Sequence, residues 1–154
     1  MSNVILILDN IRSTHNVGSI FRTADAAGIS KIYLVGTTPD PVDRFGRDQS
    51  DIAKTALGAE KSISWEHAET IISVLEKYPK YYKVALEQSE NSVDYKSITP
   101  KENNIVILGT EVTGLTREVL DACDAVAEIP MMGDKESLNV SVATGVFLFR
   151  FLSL

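Results

Sequence analysis

A chain of 154 residues, 44% apolar and 23% charged, is long enough to bury a core of its own and is not the composition of a disordered or low-complexity polypeptide. Its one cysteine, Cys123, excludes an internal disulfide and is read as a small buried apolar residue; with only His15 and His67 besides, far apart, no protein metal site is expected. The net charge of −6 argues against a polyanion as partner, but residues 1–58 sum to zero, with six acids against Arg12, Arg22, Lys31, Arg44, Arg47 and Lys54, so the excess acid lies in the remainder.

Val4–Leu8 is apolar throughout and predicts a first strand buried on both faces. That run is too short for a secretory core or a membrane span, no later segment is apolar enough to cross a bilayer, and a cytoplasmic protein without membrane contact is expected. Gly18–Ala27 reads as a helix stopped by Gly28, and Lys31–Val35 as a second strand closed by Gly36. Residues 37–50, TTPDPVDRFGRDQS, form a loop long enough to do more than connect. A short helix follows over Asp51–Ala56, then a strand over Lys61–Trp65, a helix over His67–Tyr78 and a strand over Tyr82–Leu86. After a polar stretch, Ile105–Leu108 and Val126–Ile129 read as strands, Thr116–Cys123 as a helix capped by Thr116, and Val140–Leu152 as a final apolar helix. This alternation predicts an α/β fold with a mainly parallel, six-stranded sheet flanked by helices.

Three clusters of chemically useful residues each follow a predicted strand, and open parallel sheets bind ligands beyond the carboxyl ends of their strands. In the first, residues 9–28, Asn16 and Gly18 enter a helix and Arg22 follows; exposed helix N-terminal amides and an arginine fork suit an anion, though a capped helix with a surface arginine uses the same residues. The second, VILGTEVTGL at 106–115, places Gly109 and Gly114 where close backbone approach or positive φ is needed, with Glu111 between them; a plain turn is the alternative, and this is not GxGxxG. The third, EIPMMGDKESLNVSVATG at 128–145, brings Met131 and Met132 beside Ser137, Asn139 and Ser141 at a helix start, where capping accounts for one of the polar groups.

Taken in order, N-x-G-S-I-x-R-T, I-L-G-T-E-x-x-G-L and I-P-M-x-G-x-x-x-S-L-N-V-S-V-A resemble the three motifs of the SpoU (TrmH-like) branch of the SPOUT RNA methyltransferases, and KTALGAEKSISW at 54–65 is similar to the stretch that branch carries between its first and second motifs. The resemblance runs from Val4 to the final helix. It implies an α/β fold whose C-terminal segment, from about Tyr82, is threaded into a deep trefoil knot, and transfer of a methyl group from S-adenosylmethionine to a ribose 2′-hydroxyl without a metal. The cofactor would be held by Leu86, Gly109, Glu111, Gly114, Ile129, Met131, Ser137 and Leu138. Arg22 matches the arginine the family assigns to activation of the hydroxyl. A guanidinium rarely gives up its proton, so Arg22 is read as binding the adjacent phosphate and stabilising the developing oxyanion. Asn16, Glu111, Ser137 and Asn139 would order the site around it, with Glu111 placed to pair with Arg22.

The resemblance also implies a homodimer in which one subunit's first motif completes the other's site, with Val142, Val146, Leu148 and Phe149 of the last helix available for the seam. The chain reads as a single methyltransferase domain over 1–154 without an N-terminal RNA-binding extension, so RNA contact falls to Arg12, Arg44, Arg47 and Lys54, with Phe45 as a stacking ring in the 37–50 loop. ALEQSENSVDY at 85–95 looks most like members acting on transfer RNA, with ribosomal RNA the other substrate class. Two further readings stay open: a non-catalytic RNA-binding or assembly protein that keeps the fold, and a generic flavodoxin-like nucleotide-binding domain, for which DNIRSTHN lacks the phosphate-loop glycines.

Overall fold

The computed structural model describes residues 1–110 and 112–154. Its centre is β1 (Asn3–Asp9), whose Val4, Leu6 and Leu8 point to one face of the sheet and Ile5 and Ile7 to the other. A strand apolar on both faces is stable only with helices above and below it. β2 (Lys31–Val35) and β3 (Ser64–Ala68) extend the sheet on one side of β1. On the other lie β6 (Asn103–Leu108), β4 (Tyr82–Leu86), β7 (Ala125–Glu128) and the two-residue edge strand β5 (Val93–Asp94). The order is β3-β2-β1-β6-β4-β7-β5 and every described pairing is parallel.

The sheet has seven strands rather than six, because β5 is too short to leave any periodicity and exists only through its pairing of Val93 with Ala127. The third strand also lies further along than expected. Ala59–Ser62 forms a helical turn (α3) after Gly58, whose φ is +96°, and the strand begins at Ser64, held in register by Ile32 opposite Trp65 and Leu34 opposite His67. Consequently α4 is confined to Ile71–Lys77, capped by Thr70, whose side chain accepts from Ser73 N at 3.1 Å. Pairing along the sheet edge has overridden the helical reading of residues 67–70.

One face of the sheet is covered by α1 (Thr14–Ala26), α2 (Ser50–Ala56) and α6 (Val140–Leu152), which supply Ile20, Phe21, Ile52, Phe147 and Phe151 to the core. The opposite face is covered by α4 and α5 (Arg117–Ala122). Gly18 sits where α1 meets α2: a Cβ there would fall 1.9 Å from Thr55 Oγ1 and 2.4 Å from the Ile52 carbonyl oxygen. The expectation that α1 begins at Gly18 with exposed N-terminal amides is therefore corrected. The helix starts at Thr14, and Ser13 caps it by accepting from Asn16 N at 3.1 Å. Gly18 is a helix-contact glycine within the helix. Thr116 caps α5 as expected, and Gly28, at φ +73°, follows α1. Cys123 is half-buried against the α4–α5 side of the core, and burial pushes its thiol up to about 11. Among the described residues no helix is long and apolar enough to cross a membrane.

Candidate active site

The chain runs outward from β1 through β2 to β3, then crosses to lay down β4 and returns to insert β6 between β4 and β1. The carboxyl ends of β1 and β6 thus flank a point where the winding reverses, which is where parallel sheets open a crevice. The three motif clusters leave β1, β6 and β7 at this edge.

Two adjoining cavities occupy it. The inner one, about 140 Å³, is walled by Leu86 from the end of β4, Leu108, Gly109 and Thr110 from β6 and its turn, Glu128 and Ile129 from β7, and Met131, Ser137, Leu138, Val140 and Ala143 from the third motif. Of the eight residues expected to hold a cofactor, six line this one space: Leu86, Gly109, Ile129, Met131, Ser137 and Leu138. Gly109 is closely packed, since a Cβ there would lie 2.8 Å from Leu115 Cδ2 and the Leu115 side chain would have to shift. Gly114 stands behind the wall rather than in it, at φ +63°, with space for a Cβ taken by the Glu87 carboxylate at 2.9 Å. Glu111 lies outside the described residues.

Sequence reasoning missed Glu87, Gln88 and Glu128, which join this lining. Glu87 Oε2 accepts from Leu115 N at 2.7 Å, tying the end of β4 to the turn that follows β6. Gln88 Nε2 donates to the Glu136 carbonyl at 2.8 Å, tying the same strand end to the third-motif loop. Both are polar residues just past an apolar strand, a signal shared by ordinary loop residues.

The outer groove, about 760 Å³, is lined by Asn10, Ile11, Arg12, Ser13 and Asn16 of the first motif, by Thr37, by Thr110, Val112 and Thr113, and by Asn139 and Val140. Thr110 and Val140 belong to both spaces, so the slot and the groove meet at these residues. Across them, Asn139 Nδ2 donates to Asn16 Oδ1 at 3.2 Å, while Asn139 Oδ1 caps α6 by accepting from Ser141 N at 2.9 Å and from the Ser141 hydroxyl at 2.6 Å. One asparagine thereby ends a loop, starts a helix and joins motifs that are 123 residues apart.

The first-motif loop is held firmly. Asn10 has φ +53°, and its Oδ1 accepts from Thr37 N at 3.0 Å and from the Thr37 hydroxyl at 3.1 Å. A left-handed asparagine at a ligand-facing loop is backbone strain the surrounding contacts maintain. Buried Thr38 accepts from Ile11 N at 3.1 Å, and its hydroxyl lies 2.9 Å from the carbonyl oxygens of Leu8 and Val35. Asp9, ending β1, has its carboxyl raised above the ordinary range by burial.

Arg22 is exposed and lines neither cavity. It stands six positions after Asn16, about 120° around α1 and about 9 Å along it. His15 is exposed, and its carbonyl accepts from Thr55 Oγ1 at 3.0 Å. On α6, Val142, Val146 and Phe149 are exposed, but Leu148 is wholly buried in the core, so it is not free for a seam between subunits. Among the described residues no group of three or more His, Cys, Asp or Glu is placed to hold a metal.

A slot opening onto a groove that presents Asn10, Arg12, Asn16 and Asn139, at the winding reversal of a parallel sheet, defines a ligand-binding α/β domain. The match of residues 3–149 to the SpoU rRNA methylase family model goes further: the chain belongs to this family, the SpoU/TrmH branch of the SPOUT superfamily. It is 30% identical over 149 residues to a Staphylococcus haemolyticus protein assigned to the TrmH family of tRNA/rRNA methyltransferases, covering 96% of this chain and 57% of that one. Its fold is similar to an AdoMet-bound rRNA methyltransferase from Sinorhizobium meliloti, at 35% identity and a TM-score of 0.84, covering 96% of this chain and 55% of that one. It is also similar to a TrmH/SpoU tRNA-modifying enzyme from A. aeolicus, at 26% identity and a TM-score of 0.84, covering 99% and 75%. The chain spans little more than half the length of the curated relatives it matches.

Proposed function

We propose that this chain is an RNA 2′-O-methyltransferase that uses S-adenosylmethionine, with transfer RNA favoured over ribosomal RNA. The observation that carries the reading is the junction at Thr110 and Val140. There the slot lined by the second and third motifs opens onto the groove lined by the first, with Asn16 and Asn139 bonded across it. A donor and an acceptor held in adjoining spaces is the arrangement that a transfer reaction needs.

The residue types lining the slot suit the cofactor. Leu86, Leu108, Ile129 and Leu138 offer an apolar wall, Gly109 keeps the backbone bare of a side chain, and Glu128 supplies negative charge toward a cationic ligand. S-adenosylmethionine supplies an electrophilic methyl group. The protein's residues do the positioning: Asn139 and Asn16 fix the border between the spaces, and Ser137 stands on the slot wall beside them. The preference for a ribose hydroxyl rests on the resemblance of S-L-N-V-S at 137–141 to the 2′-O branch, and that for transfer RNA on residues 85–95.

The reading includes a homodimer. Arg22 is exposed on α1 and lines neither cavity, and Val142, Val146 and Phe149 form an exposed apolar stripe on the neighbouring α6. An arginine that serves the partner's groove, binding phosphate and stabilising the oxyanion, accounts for that placement. It also includes threading of the chain from about Tyr82 into a trefoil knot. The insertion of β6 between β1 and β4 and the shared slot of the second and third motifs support this part of the reading.

The test is methyl transfer from S-adenosylmethionine to unmodified transfer RNA and, separately, ribosomal RNA, with nucleosides read by mass spectrometry. A 2′-O-methylnucleoside lost in Arg22→Ala and partly retained in Arg22→Lys is expected. Cofactor binding without transfer to either RNA would turn the reading to a non-catalytic RNA-binding protein.

A further inference from the structure

The 37–50 segment is a built hairpin with an aromatic tip. Val42 and Asp48 bridge in antiparallel fashion, Asp43 N donates to the Arg47 carbonyl at 2.8 Å, and Gln49 N donates to the Pro41 carbonyl at 2.8 Å. Inside the turn one carboxylate does most of the tying. Asp43 accepts from Phe45 N at 2.8 Å, from Arg47 N at 3.0 Å and from Arg47 Nε at 2.8 Å. Gly46, at φ +78°, closes the turn in a conformation that L side chains rarely adopt.

The product of this wiring is Phe45, 66% exposed and absent from both core clusters. The guanidinium carbons of Arg44 and Arg47 lie 4.7 Å and 5.0 Å from its ring centroid. Arg47 is neutralised by Asp43, whereas Arg44 has no carboxylate partner among the described residues. A hydrogen-bonded tip that holds an exposed phenyl ring beside the planar guanidinium groups of Arg44 and Arg47 has no packing purpose within this fold. Both kinds of plane stack on nucleobases, and the unpaired cation suits a phosphate. The tip is also tethered to the groove: Thr37, on the groove wall, is eight residues from Phe45, a reach of at most about 29 Å.

We propose that Asp43–Arg47 is a stacking platform that takes an unpaired base of the substrate RNA on Phe45 and a neighbouring phosphate on Arg44, recognising single-stranded rather than duplex RNA. The platform would hold a nucleotide away from the reacting one, setting which exposed loop is presented to the groove. This inference rests on the RNA methyltransferase reading and names the form of RNA that reading leaves open.

The experiment uses the full chain, Phe45→Ala, Phe45→Trp and Arg44→Ala, with a labelled single-stranded oligouridylate and a matched duplex in an anisotropy titration. Wild type is expected to favour the single strand, Phe45→Ala to bind it about tenfold more weakly, and Phe45→Trp to retain affinity with quenching of the added indole emission. In parallel, the KM for transfer RNA should rise in Phe45→Ala with kcat, melting temperature and S-adenosylmethionine affinity unchanged. No binding of the oligouridylate by wild type, or equal binding by wild type and Phe45→Ala, overturns the platform. A light-scattering mass that changes in Phe45→Ala while RNA affinity does not would make the tip a protein contact and also overturns it. Wild type that transfers no methyl to any RNA defeats the enzyme reading instead; the oligouridylate titration separates that failure from failure of the platform.

Discussion

Replacing Gly18 by alanine sets two calculable effects against each other. Within a helix the change is favourable by about 1 kcal/mol, because alanine loses less backbone entropy. Against this, the new Cβ would sit 2.4 Å from the Ile52 carbonyl oxygen and 1.9 Å from Thr55 Oγ1. Thr55 could rotate, at the loss of its hydrogen bond to the His15 carbonyl, a net cost of about 1 kcal/mol. Ile52 O is backbone within α2 and cannot rotate, so α2 must move away by about an ångström, and overpacking of this kind costs about 1–3 kcal/mol. The clash wins, and a net destabilisation of about 2 kcal/mol is expected, lowering the melting temperature by about 4–8 °C for a domain of this size. The assay is a circular-dichroism melt without cofactor. Gly133→Ala serves as the control, since a Cβ at Gly133 meets nothing within 4 Å. Because α1 carries Asn16, the variant should also lose methyl transfer more than its stability loss alone explains. A Gly18→Ala protein melting at or above wild type would refute the close seating of α1 on α2.

Three other outcomes follow from the site's wiring. Thr38→Val leaves Ile11 N buried without its acceptor and should lower unfolding stability by about 1–3 kcal/mol in urea, whereas Thr38→Ser should stay near wild type. Asn139→Ser keeps an N-cap for α6 but gives up the reach to Asn16. It should therefore melt close to wild type while losing methyl transfer, and Asn139→Ala should lose about 1 kcal/mol of stability as well; equal activity of Asn139→Ser and wild type would remove the bridge from the mechanism. Hydrogen bonds donated by Arg47, chiefly from its backbone, and by Phe45 hold the Asp43 carboxyl below its ordinary range. A folded-state pKa that is depressed gives stability present above the unfolded value and lost as the pH falls through the folded one. Amide-exchange protection at Phe45 and Arg47 should accordingly persist at neutral pH and vanish only below the usual carboxylate range; protection independent of pH would show that Asp43 does not tie the turn.

Local chemistry was enough to locate the ends of most elements. Continuous apolar runs at 4–8 and 105–108 could satisfy their side chains only as doubly covered strands, and Thr116 and Gly28 punctuate helices by rules that need no distant partner. The resemblance to the SpoU branch likewise implied six of the residues that share the slot. What neither pattern nor spacing could decide depends on contacts between distant segments. β5 exists by pairing with β7, and β3 was displaced by its register with β2. Gly18 is glycine because another helix passes over it, a reason invisible along the chain.

The same distinction separates the roles within the site. The sequence itself determined which residue types the chain offers at the strand ends, since backbone freedom, capping and hydrophobic burial act over a few neighbouring positions. Only the tertiary structure decided that Asn16 meets Asn139, that Glu87 braces the turn at Leu115, and that Arg22 lines neither cavity. Those relations are fixed by the strand order of the sheet, which places residues more than a hundred positions apart at one edge, and strand order is set by the packing of the whole core rather than by any segment of it.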